Sequence, residues 1–265
     1  MSKASENRVR ARERLAQERA RAARRRRRNW WLAGGGGVAV IAAAAVAITL
    51  AVGGGGAGSG AGSGTGGGTA GPLQLSSLST LGTLRPAPAA GPMGAEGVPV
   101  PAAKALAGTA GKATGQSVDG IACSTNEQTL FHIHAHLTVF VNGVARQVPA
   151  GIGIPGAQAQ DTAQGPFVAT GTCFYWLHTH AADGIIHIES PVHRAYTLGE
   201  FFDEWRQPLG PGQVGPARGH VTAIYNGKVY QGNPRNIPLA AHAQIQLEVS
   251  KPLVAPESIT WPSGL

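Results

Sequence analysis

Three histidines alternate along one stretch of the chain, His132, His134 and His136 in FHIHAHLTVFVNG. A second alternating pair follows at His178 and His180 in CFYWLHTH, with His187 and Glu189 close behind in GIIHIES. In an extended chain the side-chain period is two, so each set projects from a single face of its strand. Imidazoles on one face beside a carboxylate suit a divalent transition metal, with zinc and copper the leading candidates. All nine histidines lie between positions 132 and 242. The two methionines, Met1 and Met93, lie outside the expected His-rich domain of residues 117–265, which argues against a soft, methionine-rich copper(I) site.

Spacing limits what each set can do. Side chains at i and i+2 are about 7 Å apart, close enough for two rings to meet one ion at ~2.0–2.1 Å. His132 and His136 are about 13 Å apart along a strand, so the triplet gives one adjacent pair to any site. The third histidine binds elsewhere or only lines the face. His178 and His180 form the second natural pair, and His187 completes three nitrogen ligands. Glu189 then closes the shell or orients a histidine. The expected ligand set is therefore His132, His134, His136, His178, His180, His187 and Glu189, holding one or two ions of zinc or copper.

The competing reading is a solvated polar strand face, and a lone HxH pair is weak evidence against it. Five histidines in two alternating sets, with His187 and Glu189, outweigh it. His193, His220 and His242 stand alone and read as surface or structural residues. Asp183 reads as a turn residue and Glu200 as a helix cap.

Three functions fit. The first is simple metal binding. The second is a metal-dependent hydrolase or hydratase, in which three imidazoles hold an open-site ion that lowers the pKa of bound water toward 7. Glu189 or His180 would then be the general base. The third is a non-metal interaction module, a pH-sensitive contact surface for another envelope protein. No nucleophile elbow, HExxH or phosphate loop names a substrate, so the residues leave open whether the domain is an enzyme.

The elements that must position these residues are strands. Leu130 to Val141 reads as a long strand whose other face, Phe131, Ile133, Ala135, Leu137, Val139 and Val141, is apolar and must be buried. Asn142-Gly143 signals a tight hairpin into Val144–Val148. A further strand runs from Phe174 to His180, turns through Ala181-Ala182-Asp183-Gly184 and returns as Ile185–Glu189. A four-residue loop sets His178 opposite His187 and Trp176 opposite Glu189. A three-residue loop with a glycine bulge sets His187 beside Thr179 instead, and the sequence does not choose between them.

Thr197-Leu198-Gly199-Glu200 matches a capping box, opening a helix with Phe201, Phe202 and Trp205 that Pro208 stops. His220–Tyr225 and Lys228–Gln231 flank another Asn-Gly turn, and His242–Val249 alternates with Ala243, Ile245, Leu247 and Val249 inward. HLTVFVNG and HVTAIYNG share His, Thr, Asn and Gly at equal spacing, as two similar hairpins of one sheet would. The expected fold is α+β, a mostly antiparallel sheet with one main helix.

Charge is unevenly spread. Residues 1–28 carry twelve Lys or Arg against three Glu, whereas residues 119–265 carry seven against ten acidic residues. The sequence pI of about 10.1 therefore belongs to the tail, and no nucleic-acid partner is expected for the folded domain. Trp30 to Val52 is 23 residues without a charge, preceded by Arg24–Arg28. At 1.5 Å per residue that spans roughly 34 Å, enough for a bilayer core of about 30 Å. With the next charge at Arg85, the positive-inside asymmetry predicts a single-pass membrane anchor with its N-terminus in the cytoplasm and the C-terminal domain outside. A cleaved signal peptide is the weaker alternative, because its apolar core is usually shorter.

The two cysteines, Cys123 and Cys173, both fall in the external part and read as a disulfide. By strand alternation Cys173 faces away from His178, which disfavours a thiolate ligand. The expected organisation is a basic cytoplasmic tail over 1–29, a transmembrane helix over 30–52, a Gly/Ala/Ser/Pro-rich flexible linker over 53–116, and a His-rich domain over 117–265.

HIHAHLTVFVNG, VPAGIGI, CFYWLHTHAADGIIHIESP and YTLGEFFDEW together resemble a group of uncharacterised exported or membrane-tethered bacterial and archaeal proteins. The resemblance covers roughly 121–262 and implies a domain boundary, without an assigned activity. HxH followed by Glu also looks slightly like cupins, but Glu189 lies nine residues after His180 and no second cupin motif follows. The cupin fold is not expected.

Overall fold

A computed structural model of the chain describes residues 73–265. The first strands are β1 (Leu75–Ser76), β2 (Cys123–Ser124), β3 (Phe131–Val141) and β4 (Val144–Arg146), with β3 and β4 joined at the predicted Asn142-Gly143 turn. There follow β5 (Gln158–Thr162), β6 (Gly165–Thr170), β7 (Phe174–Tyr175), β8 (Leu177–His178) and β9 (Ile185–Ser190). Helix α1 (Leu198–Trp205) separates these from β10 (Leu209–Gly210), β11 (Gln213–Val214) and β12 (Ala217–Arg218). The chain ends with β13 (Val221–Tyr225), β14 (Lys228–Tyr230) and β15 (Ala243–Val249).

One sheet organises the domain, in the order β1-β14-β13-β15-β3-β9-β8, with β4 paired to the end of β3. Its pairs are antiparallel except β15 and β3, which run parallel from Ala243 opposite Ala135 to Val249 opposite Val141. The expected α+β architecture of mostly antiparallel strands and one main α-helix is what the described residues form. Periodicity alone does not reveal the parallel pair, because β3 and β15 meet only through a long crossover.

The predicted apolar face of β3 is buried as expected. Ala135, Leu137 and Val139 share one core with Ile186 and Ile188 of β9, Ile245 and Leu247 of β15, and Phe201, Phe202 and Trp205 of α1. The capping box that opens α1 is complete: the Thr197 hydroxyl accepts from the Glu200 N–H, and the Glu200 carboxylate accepts from the Thr197 N–H at 2.7 Å. Each satisfies a backbone donor that the helix itself cannot.

The opposite face of the sheet is buried too. His134, His136, Thr138 and Phe140 are all nearly inaccessible. Part of the cover comes from the C-terminal segment, which β15 holds by alternating side chains. Gln244, Gln246 and Glu248 accept backbone N–H groups of Ile259, Glu257 and Val254 at 2.8, 2.9 and 3.1 Å. Residues before 117 supply more of it.

That cover departs from the expected organisation. Among residues 73–116, predicted as part of a flexible linker, Val98, Leu106 and Ala113 are buried and β1 pairs with β14. Backbone hydrogen bonds tie the segment down: Arg85 N–H to the Leu253 carbonyl, Leu106 N–H to Gln147, and Ala113 N–H to Glu204. The Trp205 indole donates to the Gly108 carbonyl at 2.9 Å. Its composition lacks the large apolar residues of an independent core, but a segment laid on a preformed surface is held by its main chain instead. The domain therefore takes in residues from Leu73, not from Ser117. Tail residues 1–29, the expected membrane span 30–52 and linker residues 53–72 lie outside the described residues, among which no helix is long and apolar enough to cross a membrane.

The hairpin register left open by the sequence resolves to the first alternative. His178 pairs with His187, Leu177 with Ile188, and the Glu189 N–H donates to the Trp176 carbonyl at 2.8 Å. Cys123 and Cys173 form the expected disulfide, with their Cα atoms 5.5 Å apart beside the β2–β7 pair.

Candidate metal centre

Residues directly opposite one another in paired strands project from the same face. His134 of β3 pairs with His187 of β9, which pairs with His178 of β8. The three imidazoles therefore stand in one row across three strands about 4.8 Å apart. His132 pairs with Glu189 one step along, which brings the carboxylate into the same patch. The chain leaves the ladder after His178, yet Thr179 keeps the alternation. Its N–H donates to the Ile152 carbonyl and its hydroxyl to the Pro149 carbonyl, so it points away while His180 returns to the histidine side. Gly153 is required where this loop meets β8: its φ is +69°, and a Cβ there would lie 2.2 Å from the Leu177 carbonyl oxygen.

Three overlapping groups of ligating atoms result, each within 4.8 Å of one another: His132, His134, His187 and Glu189; beside it His178, His180 and His187; and Glu127, His178 and Glu189. In the first, His134 Nε2 lies 3.1 Å from His132 Nε2 and 3.1 Å from His187 Nδ1. Glu189 Oε1 lies 3.0 Å from His132 Nε2 and 3.3 Å from His187 Nδ1. Four ligands around a tetrahedral ion at ~2.05 Å stand about 3.3 Å from one another. The four separations around the ring are close to that spacing. In the second group, His178 Nε2 and His180 Nε2 are 3.2 Å apart.

Neighbouring groups set ring orientations. His178 Nδ1 donates to the Tyr175 carbonyl at 2.8 Å and His180 Nδ1 to the Val168 carbonyl at 2.5 Å. Carbonyls only accept, so each ring carries its proton on Nδ1 and turns the Nε2 lone pair into the cluster. His187 Nε2 lies 2.6 Å from Glu96 Oε1, the arrangement in which a carboxylate orients a metal-binding imidazole through its far nitrogen.

Burial and charge decide which rings are neutral. Burial, then the charges of His187 and His132, push His134 down to about 3. Burial is also the main reason that His178 and His180 fall below the ordinary imidazole value, with His187 adding to it. These three rings offer lone pairs at neutral pH. Burial opposes charge on His187 as well, but hydrogen bonds and charges from Glu189 and Glu96 outweigh it and raise His187 to about 9. Glu189 is pushed up by burial yet held far below the usual carboxylate range by His132 and His187. A dication would displace the proton on His187 and take over its interaction with Glu189.

The patch is reachable at its rim. The His132 side chain is 38 % exposed and that of Glu127 is 39 % exposed, whereas Glu189 is buried.

Of the predicted ligands, six converge: His132, His134, His178, His180, His187 and Glu189. His136 does not join them. Its Nε2 donates to the Asp183 carbonyl at 2.9 Å, and it lines a separate cavity of about 340 Å³ with Arg146, Asp183 and Glu257. Burial holds it at about 4, hence neutral, as a core histidine with a satisfied donor. Sequence reasoning missed Glu96 and Glu127. Glu96 carried a signal: it is the only acidic residue between Glu18 and Asp119. Glu127 lies five residues before His132 with no periodicity linking them.

Comparison with protein-family models, with curated proteins and with solved structures gave no match.

Proposed function

We propose that this domain binds a divalent transition-metal ion through His132, His134, His187 and Glu189. The observation that carries the reading is the ring of four donor atoms, whose neighbours stand 3.0 to 3.3 Å apart. Three imidazoles and one carboxylate suit zinc(II) or copper(II). The domain stands outside the membrane, carried by the uncharged segment 30–52 behind its basic tail. The disulfide supports an oxidising compartment.

The test is metal analysis of the full-length chain, purified without a polyhistidine tag and equilibrated with Zn(II) or Cu(II). Stoichiometric metal in the wild type, reduced by His134→Ala, is the expected result. Equal trace metal in both overturns the reading. Protease protection in sealed vesicles checks the topology, with the domain expected to be cleaved only from the outside.

The exposed rim favours a second reading, a metal-dependent hydrolase or hydratase. His132 and Glu127 leave the patch reachable, as a site with an exchangeable water needs. A Co(II)-substituted protein whose visible spectrum shifts on adding azide would support it, and an unresponsive spectrum would oppose it.

A further inference from the structure

In the second cluster two rings, those of His178 and His180, turn only hydrogen-bond acceptors toward one another. The Nδ1–H groups of His178 and His180 are committed to the Tyr175 and Val168 carbonyls. Both Nε2 atoms therefore present lone pairs, and they face each other at 3.2 Å. The third neighbour is the carboxylate of Glu127, whose Oε1 lies 3.4 Å from His180 Nε2. Two lone pairs and a carboxylate converging at such distances form a donor set for a positive group. A proton would make a buried imidazolium of a ring that is 0 % or 4 % exposed, close to the charge-prone His187. A metal cation meets the same need using the lone pairs as they stand.

A separate observation points to the same place. Glu127, His178 and Glu189 also have ligating atoms within 4.8 Å of one another. Glu189 Oε1 is engaged by His132 and His187, whereas its Oε2 is buried without a hydrogen-bond partner. A buried, unpartnered carboxylate oxygen is costly. One carboxylate that belongs to both groups, with one oxygen engaged and the other spare, is suited to bridging two ions.

We propose that a second divalent transition-metal ion binds at Glu127, His178 and His180, joined to the first through the Glu189 carboxylate. The inference rests on the metal-binding reading above and makes the centre dinuclear. The backbone carbonyls of Tyr175 and Val168 orient its two imidazoles, as oriented metal ligands require. The partly exposed Glu127 is the side from which the ion enters.

The experiment is Zn(II) titration of the full-length chain, with bound metal counted after equilibrium dialysis, for the wild type, His134→Ala, His178→Ala and Glu127→Ala. Two ions in the wild type and one in each histidine variant are expected. Glu127→Ala removes a half-exposed side chain outside the core. It should keep the wild-type melting profile and weaken one of two binding steps at least about tenfold. One ion in the wild type, unaffected by His178→Ala, overturns the second site and leaves the first standing. No stoichiometric ion in the wild type overturns both. Two ions in the wild type, retained at full affinity in His178→Ala and Glu127→Ala, also overturn this assignment.

Discussion

His187 Nε2 and Glu96 Oε1 lie 2.6 Å apart across 91 residues of sequence, joining the centre of the histidine patch to a segment whose composition reads as spacer. The contact makes the N-terminal cover part of the site. Glu96 holds His187 with Nδ1 facing His134 and Glu189. Replacing Glu96 by Gln keeps the shape and removes the charge, so Zn(II) affinity should fall about 10- to 100-fold, the usual cost of losing an orienting carboxylate. Competition titration against a Zn(II) chelator measures it, and unchanged affinity would refute the orienting role.

The same cover should matter for stability. A chain starting at Ser117 loses buried Val98, Leu106 and Ala113 and the main-chain bonds to Gln147, Glu204 and Leu253. Each donor or acceptor left buried without its partner costs about 1–3 kcal/mol. Thermal unfolding should show the 117–265 fragment melting well below 73–265, or not folding. Equal melting temperatures would show that the cover is dispensable.

Gly153 should tolerate no side chain. A Cβ there would lie 2.9 Å from the His178 Cβ as well as against the Leu177 carbonyl, in a left-handed conformation. Gly153→Ala is expected to lose more than about 2 kcal/mol in denaturant unfolding. Gly227, at a hairpin turn with φ +73° and open space around it, is the control. Gly227→Ala should cost about 1 kcal/mol from the backbone alone.

Stability should also depend on Glu248, away from the metal centre. Burial raises this carboxyl from the ordinary 4.5 to about 7, with Glu257 adding to the effect, although Gln246 and the Val254 N–H oppose it. Below pH 4.5 the folded and unfolded chains are both protonated at this position, and the full contribution is present. As pH rises toward 7, the unfolded chain ionises first and stability is lost. Wild-type melting temperature minus that of Glu248→Gln should therefore fall between pH 4.5 and 7 and level off above. A flat difference would remove Glu248 as the source.

Much of the site's chemistry was legible because strand alternation is local. FHIHAHL puts His132, His134 and His136 on one face wherever the strand goes, and 132 and 136 are too far apart to share an ion; spacing leaves one of these two out, and only the structure shows that it is His136. The capping box at Thr197 and Glu200, both Asn-Gly hairpins and the pairing of the only two cysteines were legible for the same reason. Each depends on neighbours in sequence or on a choice with one partner.

Tertiary structure alone decided how the sets meet. Six residues separate β8 from β9, and the turn Ala181–Gly184 within them left two registers open. The bonds of Thr179 to Pro149 and Ile152 lie beyond any local pattern, and with them the pairing sets His178 opposite His187. Glu96 reaches the patch only because a chain poor in apolar side chains is fastened across a sheet by its backbone groups. Side-chain periodicity carries no record of such bonds, since every residue but proline has the same N–H and C=O to offer.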